Sequence, residues 1–385
     1  MDDRRSMLHW RFCCKLIFAL LILVYVLFNY DITNAFNTNK IIEMEIVAES
    51  KRRNSDPFEL KIVKWNPNDT DNLLDQIRNS CLSGKGLLRD DRIINSNTLQ
   101  YNTMEDIINV ARNIQKYHNV VLVSVINDAY LPFAYSWLCN TVEMDVHKSV
   151  LIITFNTQIR DNLITNWKKI NVFALDIEMP SGDQIYSRAG YVKIMIRRTQ
   201  IMYSILQADI NLLLFEFDYV WFSNPLPEFN DMSDVDILFN PVSLTNGNTS
   251  NGGLIFIYAT DRAKVFWKKL TELMIDLGER IQTQSVHTKV SEHENDQMYY
   301  SKLLRERYGN IRTRKLPLAR YADGVWYMLK NSERRKTKPI MISNNYIEGN
   351  VNKMKRAKSW KHWFLQDNCT CDIDAVRKLQ RGANK

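Results

Sequence analysis

Runs of basic residues are missing from this 385-residue chain. Lysine and arginine number 51 against 43 acids, a net charge of +8, but the surplus is scattered. That argues against a nucleic-acid-binding stripe. It leaves a solvated surface, or a site for anions such as nucleotides and acidic glycans. Internal repeats and low-complexity segments are also absent, so the chain is not an array of stacked modules. Cysteine is scarce, with six in all. What remains is an ordinary globular composition, 45% hydrophobic and 24% charged, long enough for one large domain or two smaller ones.

A membrane-length apolar run occurs once, in "FCCKLIFALLILVYVLF", Phe12 to Phe28, broken only by Lys15. Lys15 can snorkel, and flanking residues extend the run toward bilayer thickness. Arg4, Arg5 and Arg11 precede it and Asp31 follows. The charge bias predicts a cytosolic tail (residues 1–11), a signal anchor (12–30) and a lumenal body. A cleaved signal peptide is the rival, but the run is long and "NYDITNAF" is a poor cleavage site. Asn68, Asn248 and Asn368 each begin a glycosylation triplet, which agrees with a lumenal chain. Cys13 and Cys14 sit at the membrane edge, where palmitoylation is possible. Cys81, Cys139, Cys369 and Cys371 would meet an oxidising compartment. Cys369 and Cys371 are too close to bridge each other, so a disulfide would reach back to Cys81 or Cys139. Cys139 reads equally well as a buried free thiol.

Residues 31–100 are polar without sustained apolar period and read as a stem plus some entry structure. From Val120 the pattern changes. "VVLVSVI", "SVLIITF", "NVFALDI" and "NLLLFEFD" read as buried strands. "LPFAYSWLCNTVEM", "NLITNWKKI" and "YVKIMIRRTQIMYSILQ" separate them at helical spacing. Strand alternating with helix, the strands apolar on both faces, predicts an α/β domain (residues 101–370) with a mostly parallel sheet and helices on both sides. Residues 371–385 read as a basic tail. Ligands of such sheets bind beyond the carboxyl ends of the strands, where Asn127, Asp128, Glu216 and Asp218 all fall.

Glu216 and Asp218 are two apart, and an extended chain points such residues to one face. Two ionised carboxylates so close repel each other, and a hard divalent cation, Mn²⁺ or Mg²⁺, would relieve that repulsion. Two solvated acids at a strand end are the plain alternative. Arg197 and Arg198 lie mid-helix about 100° apart, so only one of them can face this end of the sheet.

The stretch "LLLFEFDYVWFSNPLPEF" resembles the nucleotide-diphospho-sugar transferase family, GT-A-type enzymes that include plant xylosyl- and arabinosyltransferases. The resemblance runs from Val120 to Leu365 through "SVINDAYLPFAYSWLCN", "RRTQIMYSILQADINLLLFEFD", "SNGGLIFIYAT", "ENDQMYYSKLL" and "NNYIEGNVNKMKRAKSWKHWFL". It implies a GT-A-like, Rossmann-like fold and transfer of a sugar from a nucleotide-diphosphate donor, a UDP-sugar, to a glycan or glycoprotein in the Golgi, with retention of configuration. It implies metal binding at Glu216 and Asp218, and catalytic roles for Asp296 and Gln297. Donor contacts are implied for Asn127, Asp128, Arg198, Asn251, Gly252, Gly253, Asn344, Asn345 and Lys353. Two departures stand out. Glu216 replaces the family's usual aspartate, and Ser343 stands where many GT-A enzymes carry a metal-binding histidine. His362 is a nearby substitute, though it reads more readily as a helix-surface histidine. These departures keep a second reading open, that of a lumenal binding protein with the fold but no turnover.

Overall fold

A computed structural model describes Gln76, Ile77, Asn79 and residues 101–383, apart from 231, 233 and 246–248. All of these lie in one compact unit, Asp69–Lys385. The expected cytosolic tail and anchor, most of the stem, Asn68, Asn248, Cys13, Cys14 and Cys81 lie outside the described residues. No helix among the described residues is long and apolar enough to cross a membrane.

The apolar runs form strands, three of them buried on both faces and the edge strand, Asn171–Ala174, buried at alternate residues. β1 (Val121–Val125), β2 (Val150–Thr154), β3 (Asn171–Ala174) and β4 (Leu212–Phe215) pair in parallel, in the order β3-β2-β1-β4. The helices α1 (Met104–His118), α2 (Leu131–Asn140), α3 (Thr157–Asn166) and α4 (Ala189–Gln207) connect and cover them. Local chemistry sets their ends. Thr103 and Asp106 form a reciprocal capping box at the start of α1, and Asn119 closes it in the left-handed region at φ 63°. Asn156 caps α3, which stops at Asn166, so "WKKI" lies beyond the helix.

Beyond β4 the sheet turns mixed. β6 (Ile237–Pro241), β7 (Ser250–Ile257) and β8 (Thr313–Lys315) extend it to seven strands in the order β3-β2-β1-β4-β7-β6-β8. Only β7 runs against its neighbours, so the sheet is mostly parallel and helix-flanked, as expected. A second sheet joins β5 (Tyr219–Trp221), β9 (Tyr321–Ala322) and β10 (Met341–Ser343). α5 (Asp261–Ile281), α6 (Asp296–Arg305), α7 (Asn350–Ser359) and α8 (Ile373–Ala383) complete the fold.

Apolar residues fill both faces of the main sheet. Trp137 meets Trp221 edge-on at 5.1 Å, tying α2 to β5. Ile77, in the segment read as stem and entry structure, is buried in the same core. The stretch read as a basic tail is corrected as well. It forms α8, whose Val376 is fully buried, and Cys371 is bonded to Cys139 across a separation of 232 residues. Cys139 is therefore not a free thiol, and Cys369 is also disulfide-bonded.

Candidate functional site

β1 and β4 are parallel neighbours, so their carboxyl ends open on the same edge of the sheet. β7 runs the opposite way beside β4, and its first residues arrive at that edge. Glu216 and Asp218 sit there, but not on a strand as their spacing suggested. β4 ends at Phe215 and β5 begins at Tyr219, with a turn between, closed by the Tyr219 amide donating to the Glu216 carbonyl at 3.2 Å. Strand alternation is thus not what brings the two carboxylates to one place. The turn sends each to a different basic partner.

Glu216 meets Arg198. The guanidinium donates from Nη1 to Glu216 Oε1 at 2.8 Å and from Nη2 to the Gly252 carbonyl at 3.3 Å, and it pairs closely with Asp296 Oδ2. Of the two mid-helix arginines, Arg198 is buried, whereas Arg197 faces outward and bonds Gln200. Burial opposes the charge of Arg198, yet Asp296 and Glu216 hold its pKa above the ordinary value. The Glu216 pKa is raised too, which in its case disfavours the charge. Burial raises its pKa, the Arg198 charge pulls it down, and Asp218 pushes it up again.

Asp218 meets Lys353. Nζ lies 2.7 Å from Asp218 Oδ2 and 2.9 Å from the Tyr130 hydroxyl. The Asp218 side chain is only 1% exposed, and its Oδ1 is buried with no hydrogen-bond partner. Lys353 is held well above its ordinary pKa: burial opposes its charge, but Asp218 prevails.

Asn251, Gly252 and Gly253 follow Ser250 at the start of β7. Asn251 Nδ2 donates to the Tyr219 hydroxyl at 2.9 Å, and its Oδ1 accepts from the Gly253 amide at 2.8 Å. A Cβ on Gly253 would stand 2.6 Å from Glu216 Oε2, so glycine is needed there for close approach. Asn295 caps α6, which places Asp296 and Gln297 in its first turn. Gln297 Oε1 accepts from the Gly252 amide at 3.2 Å, while Asp296 Oδ1 is buried without a partner.

Several expected binding residues have their side chains engaged in bracing the site. Asn127 Nδ2 donates to the carbonyls of Pro180 and Gly182, at 3.2 and 2.8 Å, and Asp128 Oδ1 accepts from the Gly182 amide at 2.8 Å. They tether the 180–182 loop, and Asn127 makes no side-chain cap bond to the turn that follows it. Asn344 Nδ2 donates to the Lys353 carbonyl at 2.8 Å and its Oδ1 accepts from Arg356 Nε at 2.7 Å. Asn345 Oδ1 accepts from the Gly324 amide at 2.6 Å. The Asn344 side chain thereby fastens α7, which delivers Lys353 to Asp218, while that of Asn345 ties to the Gly324–Met328 turn.

His362 is corrected outright. It is buried, not on a helix surface, and its Nδ1 lies 3.0 Å from the Tyr327 hydroxyl. Burial drives its pKa down to about 4. Ser343 pairs with Tyr219 between β10 and β5. Among the described residues no group of three or more His, Cys, Asp or Glu side chains is arranged to hold a metal. Asn368 is exposed, with Oδ1 accepting from Thr370.

Sequence reasoning missed Tyr130 and Tyr191. Tyr130 follows Asn127 by three residues and reaches Lys353. Tyr191 precedes Arg198 by seven, two helical turns, and so shares its face of α4. That spacing was the available signal.

The family model for nucleotide-diphospho-sugar transferases matches residues 145–357. A UDP-D-xylose:L-fucose alpha-1,3-D-xylosyltransferase 3 of Arabidopsis thaliana is 22% identical over 267 residues, covering 65% of this chain and 68% of its own. The xylosyltransferase 1 of that plant is 23% identical over 279 residues, covering 67% of this chain and 74% of its own. Among solved structures, the galactosyltransferase LgtC with donor and acceptor sugar analogues aligns over 68% of this chain and 95% of its own, at TM-score 0.38 and 11% identity.

Proposed function

The chain belongs to the nucleotide-diphospho-sugar transferase family, and from that premise we propose that it moves a sugar from a UDP-sugar to a glycan or glycoprotein acceptor in the Golgi lumen, with metal assistance and retention of configuration. One observation carries the site assignment. The Arg198 guanidinium gathers Glu216, Asp296 and the Gly252 carbonyl at the open edge of the sheet, one turn of chain from the Asp218–Lys353 pair.

The residues suit a hard divalent cation. Both acids offer oxygen ligands, and one Asp218 oxygen is buried without a partner. Asp218 and Glu216 would hold Mn²⁺ or Mg²⁺, which when bound neutralises charge developing on the departing diphosphate. The chain's own groups do the rest. Lys353 donates to a diphosphate oxygen as charge accumulates there. Asp296, its Oδ2 held by Arg198, keeps Oδ1 for a sugar hydroxyl or for positive charge at the reacting carbon. Gln297, fixed through Oε1 by the Gly252 amide, turns its amide nitrogen to a sugar oxygen. The glycines let the strand backbone approach the donor.

Ser343 and the lack of a third metal ligand among the described residues favour a second reading, a protein that binds nucleotide without turnover. Hydrolysis of a panel of UDP-sugars, with Mn²⁺ in excess, separates the two. The wild type should hydrolyse at least one donor, and Asp296→Asn should slow that reaction by about a hundredfold, the scale for losing one charge-stabilising group. Background rates in both proteins, with UDP still bound, would leave the binding protein as the better account. The lumenal topology is tested separately. Endoglycosidase should shift the mass of the expressed chain through Asn68, Asn248 or Asn368, and the body should resist protease added to intact microsomes.

A further inference from the structure

We infer that Lys353 is the resting counter-ion of Asp218, surrendered to the diphosphate when cation and nucleotide arrive together, so that the protein takes up the two as a pair and holds the bare cation poorly. This rests on the reading of Glu216 and Asp218 as the cation-binding acids.

Lys353 is placed by more than its charge. Its backbone carbonyl accepts from Asn344 Nδ2 at 2.8 Å, and the Asn344 amide in turn donates to the Asp218 carbonyl at 3.2 Å. Two ammonium contacts are set, to Asp218 Oδ2 at 2.7 Å and to Tyr130 Oη at 2.9 Å. The Tyr130 ring also lies under the ammonium, 5.6 Å from its centroid. The lysine side chain is 16% exposed and the aspartate 1%. Ion and counter-ion are thus both withdrawn from water, so their interaction is little screened.

Charge counting gives the consequence. With Lys353 in place, a lone divalent cation must share Asp218 with an ammonium that already occupies one oxygen, and the two cations repel. A lone diphosphate meets Asp218, Glu216 and Asp296 with no divalent cation between it and their carboxylates. Each ligand alone meets like charge. Together they exchange partners: the cation takes the carboxylates and Lys353 turns to the phosphate. Coupling free energies between sites fall in the range of about 5–150-fold in affinity, and the coupling is reciprocal.

Calorimetry tests this with Mn²⁺ alone, UDP alone, and each in the presence of the other. In the wild type, UDP should tighten Mn²⁺ binding about tenfold or more. Lys353→Gln keeps a donor for Asp218 while deleting the charge. It should bind Mn²⁺ alone about tenfold more tightly than the wild type, and the gain from UDP should shrink. Lys353→Arg keeps the charge and should retain the coupling. Unchanged or weaker Mn²⁺ affinity in folded Lys353→Gln overturns the counter-ion assignment, as does equal Mn²⁺ affinity of the wild type with and without UDP when UDP is bound. Should the wild type fail to bind UDP at all, the donor reading falls instead, and the comparison of Mn²⁺ alone still decides the role of Lys353.

Discussion

Gly253 stands against the carboxylate of Glu216 so closely that a methyl group on its Cα would lie 2.6 Å from Oε2. The Gly253 carbonyl also accepts from the Glu216 amide at 3.0 Å, so the approach is built into the pairing of β4 with β7. Glu216 keeps its place beside Arg198 only because residue 253 has no side chain.

Gly253→Ala is therefore expected to separate stability from activity. The clashing atom is the end of a flexible side chain, so the fold yields by swinging Glu216 away, at a cost near the low end of overpacking, about 1 kcal/mol. The displaced carboxylate loses its 2.8 Å bond to Arg198, and UDP-sugar turnover should fall tenfold or more. Urea denaturation and kcat/KM, measured on the same preparation, check both halves. Full activity would show that the position of Glu216 is immaterial.

Arg198→Ala should be among the most damaging single changes in this site. It strands Asp296, whose side chain is 7% exposed, and Glu216 without their shared cation. Removing one partner of a buried ion pair costs about 3–5 kcal/mol. Arg198→Lys restores the charge but cannot reach both acids and the Gly252 carbonyl at once, so its loss should be intermediate. Chemical denaturation midpoints of the three proteins should rank wild type, lysine, alanine.

His362 predicts an acid-dependent loss of stability. Its folded pKa is about 4, against an ordinary value near 6.5. Between those values the unfolded chain binds a proton that the folded chain refuses, so stability rises with pH across this window and is lost as pH falls. From pH 7.5 to pH 4.5 this one group should remove about 2–3 kcal/mol. His362→Gln should lose that much less over the same interval, by urea titration at both pH values. His147, also driven down to about 4 by burial, remains in both proteins and cancels. Identical pH dependence would mean that the ring is hydrated or charged in the folded state.

The strands, the helices between them and the mostly parallel sheet were legible because they rest on local pattern. β-branched runs alternate with helical spacing, and each period is set by its own backbone geometry. The choice between Arg197 and Arg198 was half legible, since 100° per residue allows only one to face inward. Which one is decided by the packing of α4 against β7 and α6.

The site's wiring was not legible. Glu216 and Asp218 share an edge of the sheet, but not through strand alternation, because β4 stops at Phe215 and a turn carries both acids. Their partners are 18 and 135 residues away, and no local rule connects Asp218 to a lysine on α7. Asn127, Asn251 and Asn344 show the same limit. Their residue type announces hydrogen bonding but not whether the partner is a ligand or the chain itself, and each is taken by its own backbone or a neighbouring side chain. His362 looked like a surface residue because its neighbours are basic, yet Tyr327 and Trp326 bury it. Sequence by itself determined the periodic elements and the kinds of chemistry the chain can offer. Tertiary structure alone decided which acid meets which base, because contacts between distant segments follow from the closing of the sheet and the docking of α4, α6 and α7 on its edge.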